Sequence, residues 1–513
     1  MSEEQDAADD QAPTARQHAF RGGLWIAASN LIPMVGTTVL SVVMGRILGP
    51  SELGLQSLIA YVETLTAALL VQAVTNVAIQ TLSKSRGAQD EAMFDRLSRM
   101  SILANSLGGV LSAVILAIIG SFSDDPLPWM IVALSAFVNG LGWGYGSIAV
   151  AKHGWSMVAA RRLVSQSAAM VLGILAVVVG YGIAGVFAAN VIAATGLLIW
   201  LMVLVKRVPR GGIFPLPAGI VALWFGFLVM IALQLIVNSR IEFLFLGALS
   251  TDQQIAMYSV PFAIVAAAVL IPTSIIGAGL PGIAESLGAG RLHQTKESFG
   301  PALRVTASAS LILAAGVAAL GPPLLLLLYG EDFKEAAALL PLMAVSLIAA
   351  PVGEICFMFW AGVGNLRIPL IGGAIAGAID VGLALVLIAP FGALGAAITN
   401  LCAQLVMATL LLVLTRRNIG RFPLGAQRWL MGLAVSITVG ALVTGITHAI
   451  GRDSELSALV AFVVGGIVFA ILMLGFGSMV GFISAKDAGW LRTTLPGRLR
   501  SLVRLFAGPT GQK

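Results

Sequence analysis

The chain has 513 residues, of which 58% are hydrophobic and only 11% charged, with a formal net charge of +6. That balance excludes a water-soluble globular chain. A hydrocarbon core about 30 Å thick needs roughly 20 apolar residues per helical span, and runs of that length recur from end to end. The alternating segments of about ten residues that a transmembrane barrel requires are missing. The expected fold class is therefore an all-α integral membrane protein.

Residues 1–21 begin MSEEQDAADDQAPTA, an acidic, polar stretch without the basic start of a cleaved signal peptide, and are expected to form a disordered tail. Six spans follow within 22–207, at about 23–48, 53–82, 97–121, 127–150, 158–180 and 184–205. VPRGGIFPLP (208–217) has the Pro and Gly content of a linker, expected on the cytoplasmic side. Residues 218–417 carry six more spans, at about 218–248, 253–284, 302–328, 336–361, 368–389 and 393–415. The eighth, with Pro261, Pro272 and Pro281, is the expected broken helix. Two extra spans, about 428–449 and 456–482, fill 418–484 and bring the count to about fourteen. In the basic tail 485–513, GRLRSLVRLF sets Leu499, Leu502, Val503 and Phe506 on one helical face, which suits a helix lying on anionic inner-leaflet lipid; a plain basic tail accounts for it equally.

Lys and Arg collect in cytoplasmic loops. With the N-terminus inside, 26 of the 30 basic residues fall in inner segments, and the outer loops hold only Arg46, Lys334 and Arg452. Both termini are thus expected in the cytoplasm, with the chain multi-pass in the inner membrane. The positive charge is a topology signal, so nucleic acid is not an expected partner.

A shift of 210 positions lays GYGIAGVFAANVIAATGLLIWLMVLVKR (180–207) on PFGALGAAITNLCAQLVMATLLLVLTRR (390–417). Gly182 falls on Gly392, Gly185 on Gly395, Asn190 on Asn400 and Arg207 on Arg417. A weaker match lays LGPSELGLQSL (48–58) on LGALSTDQQIAMYSV (246–260). The expected plan is two parallel six-helix repeats forming an N-lobe and a C-lobe, a transporter design with its site between the lobes.

Charge at bilayer depth costs from about 2.5 to over 10 kcal/mol, so what is retained faces a cavity or a partner. The intramembrane set is Glu63, Arg240, Glu242, Glu354 and Asp380, with Arg46 near the outer end of the first span. Residues two apart on a helix point about 200° apart, so Arg240 and Glu242 do not pair with each other in a regular seventh span. Gln234, Asn238 and Glu242 form one stripe, and Gln72, Asn76 and Gln80 another. Each stripe fits a cavity wall or plain interhelical hydrogen bonding. Glu63, Glu242, Glu354 and Asp380 are the ion-coupling candidates. Arg240, Glu242, Asn238, Gln234, Arg46, Glu63, Gln72 and Asn76 are the cavity candidates, and Lys152, Arg161 and Arg162 would meet phosphate at the inner mouth. The halves do not share these charges, so the scaffold does not need them to fold.

No G-x-x-x-x-G-K-[ST] occurs, so the chain does not hydrolyse ATP itself. With four histidines, no H-E-x-x-H, and Cys356 and Cys402 isolated within spans, no metal, disulfide or cysteine chemistry is indicated, and no cofactor. Outer loops of about ten residues or fewer give an enzyme little room, leaving a transporter.

At GGLWIAASNLIPMVGTTVLSVVMGRILGPSELGLQSLIAYVETL (22–65) the chain resembles the start of polysaccharide flippases of the multidrug/oligosaccharidyl-lipid/polysaccharide exporter superfamily. The six-plus-six repeat and YGIAGVFAAN extend that likeness. It implies a V of two lobes passing a polyprenyl-pyrophosphate-linked oligosaccharide unit, of O-antigen or exopolysaccharide type, to the outer leaflet by alternating access. Partners implied are the lipid-linked glycan and polysaccharide polymerase or chain-length machinery. From the same superfamily, an ion-coupled multidrug antiporter would favour an acid-rich cavity without arginine. A lipid II flippase would use spans 13 and 14 but is expected to carry more arginines in its first two spans than Arg46 alone. A non-transporting scaffold or glycan-assembly component is the reading from outside transport.

Overall fold

The computed structural model describes residues 34–206, 212, 217–238, 241–277, 292–363, 365, 367–419, 426–450, 454–480, 484 and 487–488. Among them every regular element is helical. In chain order these are α1 (Met34–Ile47), α2 (Gly49–Gly87), α3 (Glu91–Ser121), α4 (Pro126–His153), α5 (Trp155–Val179) and α6 (Gly182–Val205). Next come α7 (Ile220–Asn238), α8 (Glu242–Leu249), α9 (Asp252–Gly277), α10 (Leu292–Tyr329), α11 (Lys334–Ala344) and α12 (Ser346–Val363). The last three are α13 (Arg367–Ile419), α14 (Ala426–Ile450) and α15 (Glu455–Val480). Ten described helices are long and apolar enough to cross a membrane, or eleven if the pair bent by 48° around residue 345 is one span. The all-α membrane architecture expected from composition is thus present.

The chain forms two compact units, Met1–Leu48 with Ile59–Ile231, and Gly49–Leu58 with Ala232–Lys513.

In the first unit the helix ends follow local sequence. Asp90 caps α3 by accepting from the Met93 amide at 2.9 Å, and Asp125 caps α4 ahead of Pro126 by accepting from the Leu127 amide at 3.3 Å. Gly180 closes α5 at φ 97°, a left-handed conformation in which a side chain is strained. Helices α3 and α4 touch through glycine: a Cβ on Gly140 would lie 2.6 Å from the Gly109 Cα. In a membrane, where burying apolar surface gains little, such close approach of small residues supplies the packing.

A buried polar chain ties α2, α3 and α4 together. Thr75 donates to Asn105 Oδ1 at 2.8 Å, Asn105 donates to the Ser101 carbonyl at 2.9 Å, and the Ser101 and Ser147 hydroxyls are 2.6 Å apart. Replacing Asn105 by leucine strands Thr75, and the expected cost is about 1–2 kcal/mol, read as earlier thermal unfolding in detergent. Within α2, Ala68–Gln72 forms a π turn, an extra residue in the helix. Facing it, a Cβ on Gly108 would lie 2.4 Å from the Leu70 carbonyl oxygen.

In the second unit α9 runs through Pro261 and Pro272 as one helix to Gly277, so neither proline breaks it; Pro281 lies outside the described residues. Helix α13 holds two of the expected spans across a bend at Gly392, whose φ of 51° is close to the 56° of Gly182, its counterpart in the 210-residue shift. Gln254 on α9 secures that bend, accepting from the Ala393 amide at 2.8 Å and donating to Glu335 at 3.0 Å. Val439 and Val443 of α14 pack with Ala315 and Ala319 of α10 and Met473 of α15, so the last two helices are built onto α10. Beyond α15, Arg304 of α10 grips the buried Asp487 through Nε at 3.0 Å and Nη2 at 2.5 Å. The acidic tail 1–21, the linker other than Gly212 and Pro217, and Leu499 to Phe506 lie outside the described residues.

Candidate functional site

The strongest convergence of polar groups among the sequence-predicted residues is in the second unit. Glu242 begins α8 and is fully buried, and Asp380, on α13 before the Gly392 bend, is 4% exposed. The two carboxyl groups and the side chain of Tyr258 of α9 are close neighbours. From beyond the bend, Asn400 Nδ2 donates to Glu242 Oε1 at 2.9 Å. Among the described residues no hydrogen bond reaches Glu242 Oε2 or Asp380 Oδ1.

The folding that creates this site is legible in the elements. Glu242 sits in the first turn of α8, and the bend at Gly392 folds α13 back on itself so that Asp380 and Asn400 come to the same carboxylate. Asn400 is the member of this cluster that charge reasoning passes over. Its signal was the 210-residue match with Asn190, read there as a mark of the scaffold.

The other predicted residues are dispersed. Glu63, on α2 in the first unit, is held by the side chains of Ser135 and Asn139 of α4. Asn139 in turn donates to Ser135 at 3.2 Å. Glu354 is half-buried on α12, and among the described residues no hydrogen bond joins it to the Glu242 cluster. Gln72 closes the π turn of α2 and is exposed, Asn76 follows one turn on and is half-buried, and Gln80 is exposed. Arg46, near the end of α1, is exposed. Arg240 and the side chains of Gln234 and Asn238 lie outside the described residues.

Aromatic rings occupy the three cations expected at the inner mouth: Lys152 Nζ lies 5.6 Å from the Phe94 ring centre, Arg161 lies 4.9 Å from Trp200, and Arg162 lies 3.3 Å from Trp143. Arg86 holds the turn beside them by donating to the Ala151 and Lys152 carbonyls. No group of three or more His, Cys, Asp or Glu with metal-binding arrangement occurs among the described residues.

Residues 218–473 match the family model described as lipid II flippase MurJ. Among solved structures, the chain is similar to one described as lipid II flippase MurJ in an inward closed conformation, at a TM-score of 0.72 and 14% identity, covering 88% of this chain and 98% of that one. An inward-facing multidrug resistance MATE family transporter of the MOP superfamily gives 0.62 and 14% identity, with 75% and 94% covered. A MOP superfamily transporter from Pyrococcus furiosus gives 0.54 and 15%, with 77% and 96% covered. No curated protein matches by sequence. The expected O-antigen or exopolysaccharide subtype is overturned, because the family model that matches is that of a lipid II flippase. The scarcity of arginine in the first two spans was a poor discriminator, since the matching signal lies in residues 218–473. The chain shares the fold of these solved structures, and its residues 218–473 match the MurJ lipid II flippase family model.

Proposed function

We propose that this protein is a lipid II flippase, carrying a polyprenyl-pyrophosphate-linked cell-wall precursor across the cytoplasmic membrane by alternating access, with both termini in the cytoplasm. The observation that carries this reading is the match of residues 218–473 to the lipid II flippase family model. A pyrophosphate needs cationic donors, and Arg46, Lys152, Arg162 and Arg240 are the residues assigned to it. Glu242, Asp380 and Asn400 form the coupling site, binding a proton or Na+ whose release accompanies the return of the empty carrier. Glu63 is the second acid of the cycle.

The test is movement of fluorescent lipid II in proteoliposomes, followed by the fraction of probe open to an impermeant quencher. Protein-dependent equilibration of lipid II, with no transfer of a fluorescent phosphatidylcholine of matched chain length, is the expected result. Equal transfer of both lipids, or of neither, overturns the assignment.

A further inference from the structure

Arg161 and Arg162 are neighbours in sequence but face different surroundings. On α5 the exposed apolar residues Met157, Val164, Val171, Leu175 and Val178 recur at steps of three, four or seven, one continuous helical stripe. Arg161 lies on that stripe, four residues after Met157 and three before Val164. On α6 the exposed residues Ile192, Ile199 and Val203 form the corresponding stripe, with Trp200 beside it at 42% exposure. Exposed apolar stripes on two adjacent membrane helices are surfaces for acyl chains. Arg162, about 100° further round α5, stacks instead on Trp143 of α4.

Depth adds to this. Arg161 is six residues inside the start of α5 and Trp200 five residues inside the end of α6, which places both roughly 8–9 Å from the same end of the α5–α6 hairpin. That is where a phospholipid headgroup gives way to its chains, and where Trp and Arg anchor. Lys206 sits at the exposed end of α6, adding positive charge beside it.

The guanidinium of Arg161 is unfinished. One nitrogen donates to the Met157 carbonyl one turn back at 2.8 Å, the ring of Trp200 lies 4.9 Å away, and the buried Nε has no acceptor among the described residues. A planar donor fork fixed on an aromatic ring and facing acyl chains is the arrangement that takes a phosphate oxygen.

We infer that Arg161 and Trp200 form a binding site for the phosphate of an anionic bilayer phospholipid on the membrane face of the α5–α6 hairpin. On this reading Arg161, expected from sequence to meet substrate phosphate, serves bilayer lipid instead, and the site does not depend on what the transported substrate is. The ring fixes the guanidinium, the guanidinium holds the phosphate, and the two stripes receive the chains.

Native mass spectrometry of the full-length protein in detergent, titrated with phosphatidylglycerol or phosphatidylcholine of identical chains, tests this. The wild type should bind its first phosphatidylglycerol about fivefold more tightly than phosphatidylcholine, the effect of one cation near a lipid surface. Arg161→Gln should lose the preference, Arg161→Lys should keep most of it, and Arg162→Gln should keep all of it. Retention of the preference in Arg161→Gln, or its loss in Arg162→Gln instead, overturns the proposal. Lipid II supplies the distinguishing arm: its affinity should be unchanged in Arg161→Gln, and a parallel fall would assign Arg161 to the substrate and overturn a bulk-lipid site. Should Arg161→Gln not insert, phosphatidylglycerol brominated on its chains gives a second reading. It should quench wild-type fluorescence beyond brominated phosphatidylcholine, and that excess should vanish in Trp200→Phe; persistence of the excess overturns the site.

Discussion

Replacing Glu242 by glutamine should uncouple transport while leaving the protein folded, and replacing it by alanine should also destabilise the second unit. Glutamine keeps an oxygen for the Asn400 amide, which Glu242 now receives at 2.9 Å, but it cannot release a proton or neutralise a cation. Alanine strands Asn400, at a cost of about 1–2 kcal/mol for an interhelical hydrogen bond in a membrane protein. If binding at this site drives the cycle, its loss removes a coupling free energy of about 1–3 kcal/mol, so lipid II movement under an ion gradient should fall roughly 5–150-fold. Asp380→Asn should behave like Glu242→Gln, and the double variant should be no worse than either, because the carboxyls act as one unit. The measurement is flipping in proteoliposomes with and without imposed Na+ and pH gradients. Full gradient dependence in Glu242→Gln would remove this pair from the coupling mechanism.

Gly54→Ala should be among the most damaging single-methyl changes in the chain. A Cβ at Gly54 would lie 1.7 Å from the Asp252 carbonyl oxygen and 2.6 Å from its carbon, both backbone atoms that cannot swing aside. The same face of α2 carries Ser57, donating to Ser259 of α9 at 3.3 Å, and Leu58, whose methyls would meet a Cβ on Gly247 at 2.9 Å. Admitting the methyl means moving the start of α2 off α9 and losing these contacts together. Overpacking of this kind costs about 1–3 kcal/mol, and more where backbone must move. Gly142→Ala on α4 is the control, since nothing stands within 4 Å of its added methyl. Thermal unfolding in detergent should separate the two variants clearly, and equal melting would show that α2 accommodates the methyl.

The membrane character and the positions of most helices were readable because bilayer thickness imposes span length and loop charge imposes punctuation. Gly182 and Gly392 were paired by sequence alone, and both take left-handed φ values that favour glycine. Pro261 and Pro272 misled, because a helix packed in a membrane re-satisfies the groups that a proline frees. For the site, the sequence identified the acids but not their company. Glu63 was expected to face a cavity or a partner, and the side chains beside it are the uncharged Ser135 and Asn139. Helical periodicity fixes neighbours on one helix, and the meeting of Glu242, Asp380 and Asn400 depends on three-dimensional return of the chain, which no local pattern encodes. Substrate choice misled for a related reason: arginine was counted in the opening spans, away from residues 218–473 that carry the family signal.

The π turn at Ala68–Gln72 bears on how the second span tolerates length change. Because the turn holds one residue more than an α-helix requires, a single deletion within it would heal the helix rather than break it. Five residues of a π turn cover nearly the arc and the rise that four cover in an α-helix, so the segments on either side would keep their rotation about the axis. Glu63 would then stay beside Ser135 and Asn139. Loss of one residue at this point would therefore be absorbed where it occurs, whereas the same loss anywhere else between Glu63 and Asn76 would turn the acid about 100° away from its neighbours.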